Sequence, residues 1–95
     1  MVLKVNSPRV EIHYCTQCRF ILRANWIAQE ILTTFGEKIG ELVLVPSTGG
    51  IFTITLDGIE IFSRKVEKRF PESKELKQLI RDKLDRDMSL GHSDN

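Results

Sequence analysis

The stretch "IFTITLDGIEIFSR", residues 51–64, constrains this chain most. Two apolar-rich runs, 51–56 and 59–64, meet at Asp57-Gly58. Both residues tolerate the positive φ angles of a two-residue type I′ turn, so the stretch predicts an antiparallel hairpin. Two further strands lie upstream. "RVEIHY" (9–14) alternates, with Val10, Ile12 and Tyr14 on one face and Arg9, Glu11 and His13 on the other. "ELVLVP" (41–46) carries four apolar residues in a row, Leu42 to Val45, as a strand covered on both faces would, and Pro46 is expected to end it. "STGG" (47–50) is a loop.

Between the first two strands the period changes. In "CRFILRANWIAQEILTTF" (18–35), Phe20, Ala24, Ile27, Ala28, Ile31 and Phe35 recur at helical spacing, and Gly36 is a C-terminal stop. After the hairpin comes a charged connection, "KVEKRF". Pro71 then fits the first turn of a last helix with an apolar stripe of Leu76, Leu79, Ile80 and Leu84. The order is β-α-β-β-β-α. A helical crossover makes the first two strands parallel and right-handed. The expected fold is α/β (an α+β sandwich), a four-stranded mixed sheet with two helices in the small thioredoxin-like layout. Residues 1–8 read as a flexible lead-in, 9–86 as the domain and 87–95 as a flexible tail.

At 95 residues the chain is one small domain. Fourteen Lys and Arg against thirteen Asp and Glu leave a net charge of +1. That balance gives no global field for nucleic acid or an anionic membrane. No apolar run approaches the roughly 20 residues of a membrane span. "MVLKVNSPR" has no extended apolar core of a secretory signal. The expectation is a cytoplasmic protein, whose thiols are held reduced.

The only two cysteines stand in "HYCTQC", at the switch from strand to helix period. A Cys-x-x-Cys at that turn of a β-α-β unit is a sign of a thioredoxin-like redox site. If Cys18 opens the helix, the unpaired N–H groups there favour a thiolate over a thiol, and the thiolate is the species that attacks a disulfide. The two-residue spacer lets the sulfurs bond, so one cysteine can resolve a mixed disulfide made at the other. Two other readings compete: plain core thiols, for which a polar spacer is a poor setting, and zinc, which needs two more ligands for a closed site. No metal is expected in a single chain. His13 is a candidate for tuning the thiols, although a strand-end His is commonly solvated or packed. Tyr14 reads as a core anchor. Thr16 and Gln17 set the turn and the shape a partner meets.

The chain resembles the Rdx family, the SelT/SelW/SelH group, and within it the selenoprotein W-like branch. The resemblance rests on "VEIHYCTQCRF", "STGGIFTITLDGIEIFSRK" and "RFPESKELKQLIRDKL", across about residues 9–86. It implies a thioredoxin-like fold and a thiol-based redox role. Some relatives carry selenocysteine at the second position of the pair, here Cys18. Thioredoxin logic makes Cys15 the exposed attacker, whereas the selenocysteine position points to Cys18; the order stays open. Thioredoxin itself has a cis-proline before its third strand. Here Gly50 precedes that strand, and the Gly49-Gly50 backbone either lets a partner chain approach the sulfurs or forms a plain tight loop.

Leu22 and Trp26 fall off the main apolar stripe of the first helix, four residues apart on a polar face. They are a candidate docking patch for a partner protein or, weakly, a second copy of the chain; the alternative is that a loop or the second helix covers them. Arg64, Lys65, Lys68 and Arg69 cluster after strand four, as a solvated face or as an attractor for glutathione carboxylates or an acidic partner. The resulting expectation is a thiol-disulfide oxidoreductase-like protein acting through Cys15 and Cys18. It uses no bound cofactor, with a protein or glutathione disulfide as its partner and glutathione or a thioredoxin system resetting the pair. The rivals are a redox-responsive binding module and, more remotely, a metal-binding dimer.

Overall fold

The computed structural model describes the backbone of residues 6–92 and the side chains of 6–85. Its elements are β1 (Arg9–Cys15), α1 (Ile21–Phe35), a 3₁₀ turn (Gly36–Lys38), β2 (Glu41–Ser47), β3 (Phe52–Leu56), β4 (Ile59–Ser63), a short α2 (Arg64–Glu67) and α3 (Ser73–His92). The sheet order is β2-β1-β3-β4. β1 pairs parallel with β2 and antiparallel with β3, and β3 pairs antiparallel with β4. The chain thus forms the expected four-stranded mixed sheet.

Register explains the core. Val10 faces Leu56, Ile12 faces Ile54 and Tyr14 faces Phe52, and all six are buried. Cross-strand partners share a face of a pleated sheet, so these residues make one apolar surface. Ala24, Ile27, Ala28, Ile31 and Phe35 of α1 close over it, joined by Leu76, Ile80 and Leu84 of α3. The opposite face carries Glu11, His13, Thr53 and Thr55, each half-buried. Asp57 and Gly58 have φ of 52° and 83°, the left-handed pair that the hairpin requires. Its tip is tied to the start of β1: Arg9 N–H donates to Asp57 Oδ1 at 2.7 Å, and Asp57 N–H donates to the Arg9 carbonyl at 2.8 Å. β4 carries a bulge that sequence did not announce: Ile54 pairs with Phe62 and Thr55 with Glu60, which leaves Ile61 as the extra residue.

Several expectations need correction. β2 is not covered on both faces; it is an edge strand, and Leu42 to Val45 are all half-buried. Pro46 lies within it, opposite Tyr14, rather than ending it. An edge strand tolerates a residue with no N–H to give. α1 starts at Ile21, not Cys18, because Arg19 adopts a left-handed φ of 60° that breaks the helical path. Pro71 precedes α3 instead of sitting in its first turn. Glu75 accepts the Glu72 N–H at 2.8 Å, and this side-chain cap marks where α3 begins. Leu79 belongs to the outer side of α3, 38% exposed, so the stripe is Leu76, Ile80 and Leu84. α3 runs as far as His92, and residues 93–95 lie outside the described part. Of the lead-in, 1–5 also lie outside it, while Pro8 accepts hydrogen bonds from Gly40 N–H (2.9 Å) and Glu41 N–H (3.3 Å).

The corrected stripe is directly testable. Ile80→Ala empties a fully buried position and is expected to cost about 2–5 kcal/mol, whereas Leu79→Ala is expected to cost less than about 1 kcal/mol. Urea unfolding of both variants checks this, and equal losses would return Leu79 to the core.

Candidate functional site

The site is built where β1 ends. Cys15 is the last residue of the strand. Its N–H donates to the Ile51 carbonyl at 3.0 Å, toward β3, and the next N–H, of Thr16, donates to the Ser47 carbonyl at 3.0 Å, toward β2. Thr16 Oγ1 adds a bond to the same carbonyl at 3.3 Å. The chain then turns through Thr16 to Phe20. Arg19 N–H returns to the Thr16 carbonyl at 3.1 Å and Phe20 N–H to the Cys15 carbonyl at 3.2 Å. This closed turn, not a helical first turn, brings the cysteines together. Their sulfurs are 2.8 Å apart, with the Cys18 S–H donating to Cys15.

The two thiols differ in access. Cys15 is 1% exposed, and Cys18 is open to solvent. They also differ in acidity. The hydrogen bond from Cys18 holds the Cys15 thiol below its ordinary range; burial opposes this, and the backbone N–H groups of Gly50, Cys18 and Gln17 reinforce it. Cys18 is pushed up, first by giving that hydrogen bond, then by desolvation and by the charge on Cys15; Arg64 and the Gly50 N–H pull it back. The favoured thiolate is therefore the inner sulfur. What favours it is a set of local donors, because the α1 N-terminus starts three residues beyond Cys18.

Gly49 and Gly50 contribute through the backbone. Their φ angles of 81° and 71° are consecutive left-handed values that a side chain resists, and the Gly50 N–H favours negative charge on either sulfur. Arg64 Nη1 donates to the Gly50 carbonyl at 3.4 Å from the other side. Beneath the turn, Phe20, Phe52 and Phe70 pack edge to face, with centroids 4.8 Å (Phe20–Phe70) and 5.4 Å (Phe52–Phe70) apart. Arg64 lies over Phe20 and Phe70, and Arg23 lies 4.1 Å over Phe70.

The structure thus brings Cys15, Thr16, Gln17, Cys18 and Gly50 together, with Gly49 alongside. It does not add His13. That imidazole bonds Glu11 Oε1 at 2.8 Å on the open sheet face, and Glu11 is held below the usual carboxylate range by Arg9 and His13. Leu22 and Trp26 are uncovered, 76% and 52% exposed. Trp26 borders a small cleft with Arg23, Ile27, Phe52, Phe70 and Pro71. Among the described residues no three His, Cys, Asp or Glu side chains gather as a metal site. Arg64 and the phenylalanine trio are the parts that sequence reasoning missed as a unit. Arg64 read as one of four cations in a run, and Phe20 read only as part of a core stripe. The cationic run also divides: Arg69 pairs with Glu75 (2.8 Å), while Arg64 bonds the Gly50 carbonyl and stacks on Phe20.

The model of the Rdx family matches residues 9–82, which include every element from β1 into α3. The chain belongs to the Rdx family. Two solved structures are close to it. The crystal structure of a Bordetella parapertussis protein is 55% identical, with a TM-score of 0.78, over 79% of this chain and 95% of that one. The crystal structure of a selenoprotein W-related protein from Vibrio cholerae is 48% identical, with a TM-score of 0.80, over 83% of this chain and 99% of that one. No curated protein matches the chain. The fold is thioredoxin-like, and the family is redox-related. No helix among the described residues is long and apolar enough to cross a membrane.

The unequal thiols predict two separated titrations in the reduced protein. One thiolate appears below the ordinary thiol value of about 8.5 and the other above it. As pH falls through the lower value, the Cys15 thiolate is lost. Thiolate absorbance against pH checks this. In Cys18→Ala the Cys15 titration moves up toward the ordinary value, because its main donor is gone; an unmoved titration would assign the stabilisation to the backbone alone.

Proposed function

We propose that this protein is a thiol-disulfide oxidoreductase whose outer sulfur, Cys18, meets the substrate and whose inner sulfur, Cys15, resolves the product. One observation carries the reading: two reduced sulfurs 2.8 Å apart, of which the inner is buried and ringed by donors and the outer is open. In the reduced pair, negative charge is favoured on Cys15 over Cys18. When a disulfide reaches Cys18, the Cys18 proton passes to Cys15, and the Cys18 thiolate attacks one sulfur of the substrate. That forms a Cys18–substrate mixed disulfide and expels the other substrate sulfur as a thiolate. The expelled substrate thiolate takes the Cys15 proton, and the Cys15 thiolate attacks Cys18 Sγ, which closes the Cys15–Cys18 disulfide and releases the second substrate sulfur as a thiolate that solvent protonates. Two electrons leave the pair and reduce one substrate disulfide to two thiols. Two glutathione thiols, or a dithiol of the thioredoxin type, reverse the pair and are themselves oxidised. Burial of Cys15 supports its place as resolver, since it is shielded from external thiols. The partner is a protein or glutathione disulfide, and the setting is the cytoplasm, where the pair is kept reduced.

A second reading rests on the uncovered Leu22 and Trp26 of α1. There the pair is a switch, and its oxidation alters affinity for a partner protein docked on that patch. Turnover separates the two readings, since a switch binds differently when oxidised but does not process disulfide catalytically.

Exposure to excess oxidised glutathione tests the cycle. By intact mass, wild-type protein ends as an intramolecular disulfide with no adduct. Cys15→Ser accumulates one glutathione on Cys18, while Cys18→Ser reacts at least about tenfold more slowly, because its remaining sulfur is buried. An adduct on Cys18→Ser and none on Cys15→Ser would reverse the order of attack. Wild-type protein that never loses its two thiols would reject the redox reading.

A further inference from the structure

Arg64 lies beside the redox turn, stacked on Phe20 and bonded to the Gly50 carbonyl. It opens α2, immediately after β4, and is half-buried. Its guanidinium carbon is 5.3 Å from the ring centre of Phe20, two residues past Cys18, and 4.9 Å from that of Phe70. Its Nη1 reaches the Gly50 carbonyl, and its Nε is buried without a hydrogen-bond partner among the described residues. None of the described carboxylates lies within salt-bridge distance of it. A cation drawn partly out of water is ordinarily paired. This one is held by ring faces and a carbonyl, and the group that gains a negative charge beside it in the proposed cycle is Cys18.

We infer that Arg64 is a positioning residue for the redox pair: its stacked guanidinium stabilises negative charge on Cys18 and anchors the Gly50 segment against both sulfurs. The inference rests on the proposed cycle, in which charge moves from Cys15 to Cys18 before attack. The donors around Cys15 hold charge on the inner sulfur. A fixed positive charge on the Cys18 side lowers the cost of moving it outward. The Arg64 charge does favour the Cys18 thiolate, against the opposing effect of Cys15. Other groups near the pair are also cationic. Arg19 follows Cys18 in the turn, Lys65 Nζ reaches within 3.9 Å of where a Gly49 side chain would begin, and Arg23 stacks on Phe70. Arg19 and Lys65 are exposed, so solvent screens them more than Arg64. The arrangement also explains why α2 follows β4 directly: this places Arg64 across β3 from the end of β1.

The test is the pH profile of Cys18 alkylation in reduced protein, read by peptide mass mapping, for wild type, Arg64→Lys and Arg64→Gln. Circular dichroism and thermal unfolding establish that each variant is folded. For Arg64→Gln the expected result is a midpoint displaced to higher pH and alkylation at neutral pH about threefold to tenfold slower. Arg64→Lys keeps the charge and recovers most of the rate. The glutathione-buffer midpoint of Arg64→Gln moves to a more reducing potential, since a reduced form with a less stabilised thiolate is more readily oxidised. A wild-type profile in Arg64→Gln overturns the inference, and so does an equal displacement in Lys and Gln variants, which would make Arg64 a packing residue. If Arg64→Gln does not fold, the Lys variant decides: a near-wild-type profile supports the charge, and a midpoint displaced to higher pH rejects it. Alkylation needs no disulfide cycling, so a protein that fails to cycle but shows the Arg64 effect refutes the proposed function and leaves the residue's influence on Cys18 standing.

Discussion

Two main-chain hydrogen bonds at the end of β1 hold the site in place. Cys15 N–H is tied to Ile51 before β3, and Thr16 N–H is tied to Ser47 at the end of β2. They point to opposite neighbours because β1 is an inner strand, parallel to one partner and antiparallel to the other. The exit of β1 is therefore clamped on both sides, and the turn that carries the pair starts from a fixed backbone. The same topology brings the loop between β2 and β3 alongside that turn. The Gly50 segment lies beside the turn because it begins and ends at strands paired to β1.

This clamp alters the account of how a thiolate is stabilised. A helix N-terminus offers oriented N–H groups, and a cysteine in its first turn benefits from them. Here a left-handed Arg19 separates the turn from α1. The donors at Cys15 are one thiol and three backbone N–H groups, from Gly50, Cys18 and Gln17. Such donors act over hydrogen-bond distance and depend on the loop conformation. Substitution at Gly49 or Gly50, where φ is positive, would disturb the sulfurs without touching either cysteine. The glycine pair that reads in sequence as a loop is in this structure part of the electrostatic site.

Much of this was legible in the chain, for physical reasons that differ by element. The alternation of "RVEIHY" and the turn at Asp57-Gly58 are local signals with steep steric penalties for alternatives, and both hold. The α1 stripe holds because its apolar residues must meet the sheet. What failed depended on neighbours. Pro46 looks like a strand end unless β2 is known to be an edge. Leu42 to Val45 look doubly covered, but both helices lie on one side. Leu79 fits the α3 period yet falls on the side that the sheet does not reach. The sharpest case is the cysteine pair. Spacing indicated that the sulfurs meet. Which is buried was not readable, because Cys15 takes its cover from loops distant in sequence. Arg64 was hidden for the same reason: a cation in a run of cations gains its role only from stacking on Phe20 and Phe70, which lie far from each other along the chain.

The shape of the surface around Cys18 bears on what kind of disulfide the proposed cycle serves. A hollow of about 400 Å³ lies along α3, lined by Glu72, Lys74, Glu75, Gln78 and Leu79, and contains neither sulfur. A cleft beside α1, between Trp26 and Phe70, is about 30 Å³, room for little more than a water molecule. A small ligand gains affinity by burying most of its surface in a pocket, and neither of these two hollows is lined by Cys18. A protein substrate can instead gain affinity by spreading contacts over a flat face. The face at hand is α1, where Leu22 and Trp26 stand uncovered beyond the turn. Within the proposed cycle, the uncovered Leu22 and Trp26 are the side chains that could add such contacts for a protein disulfide.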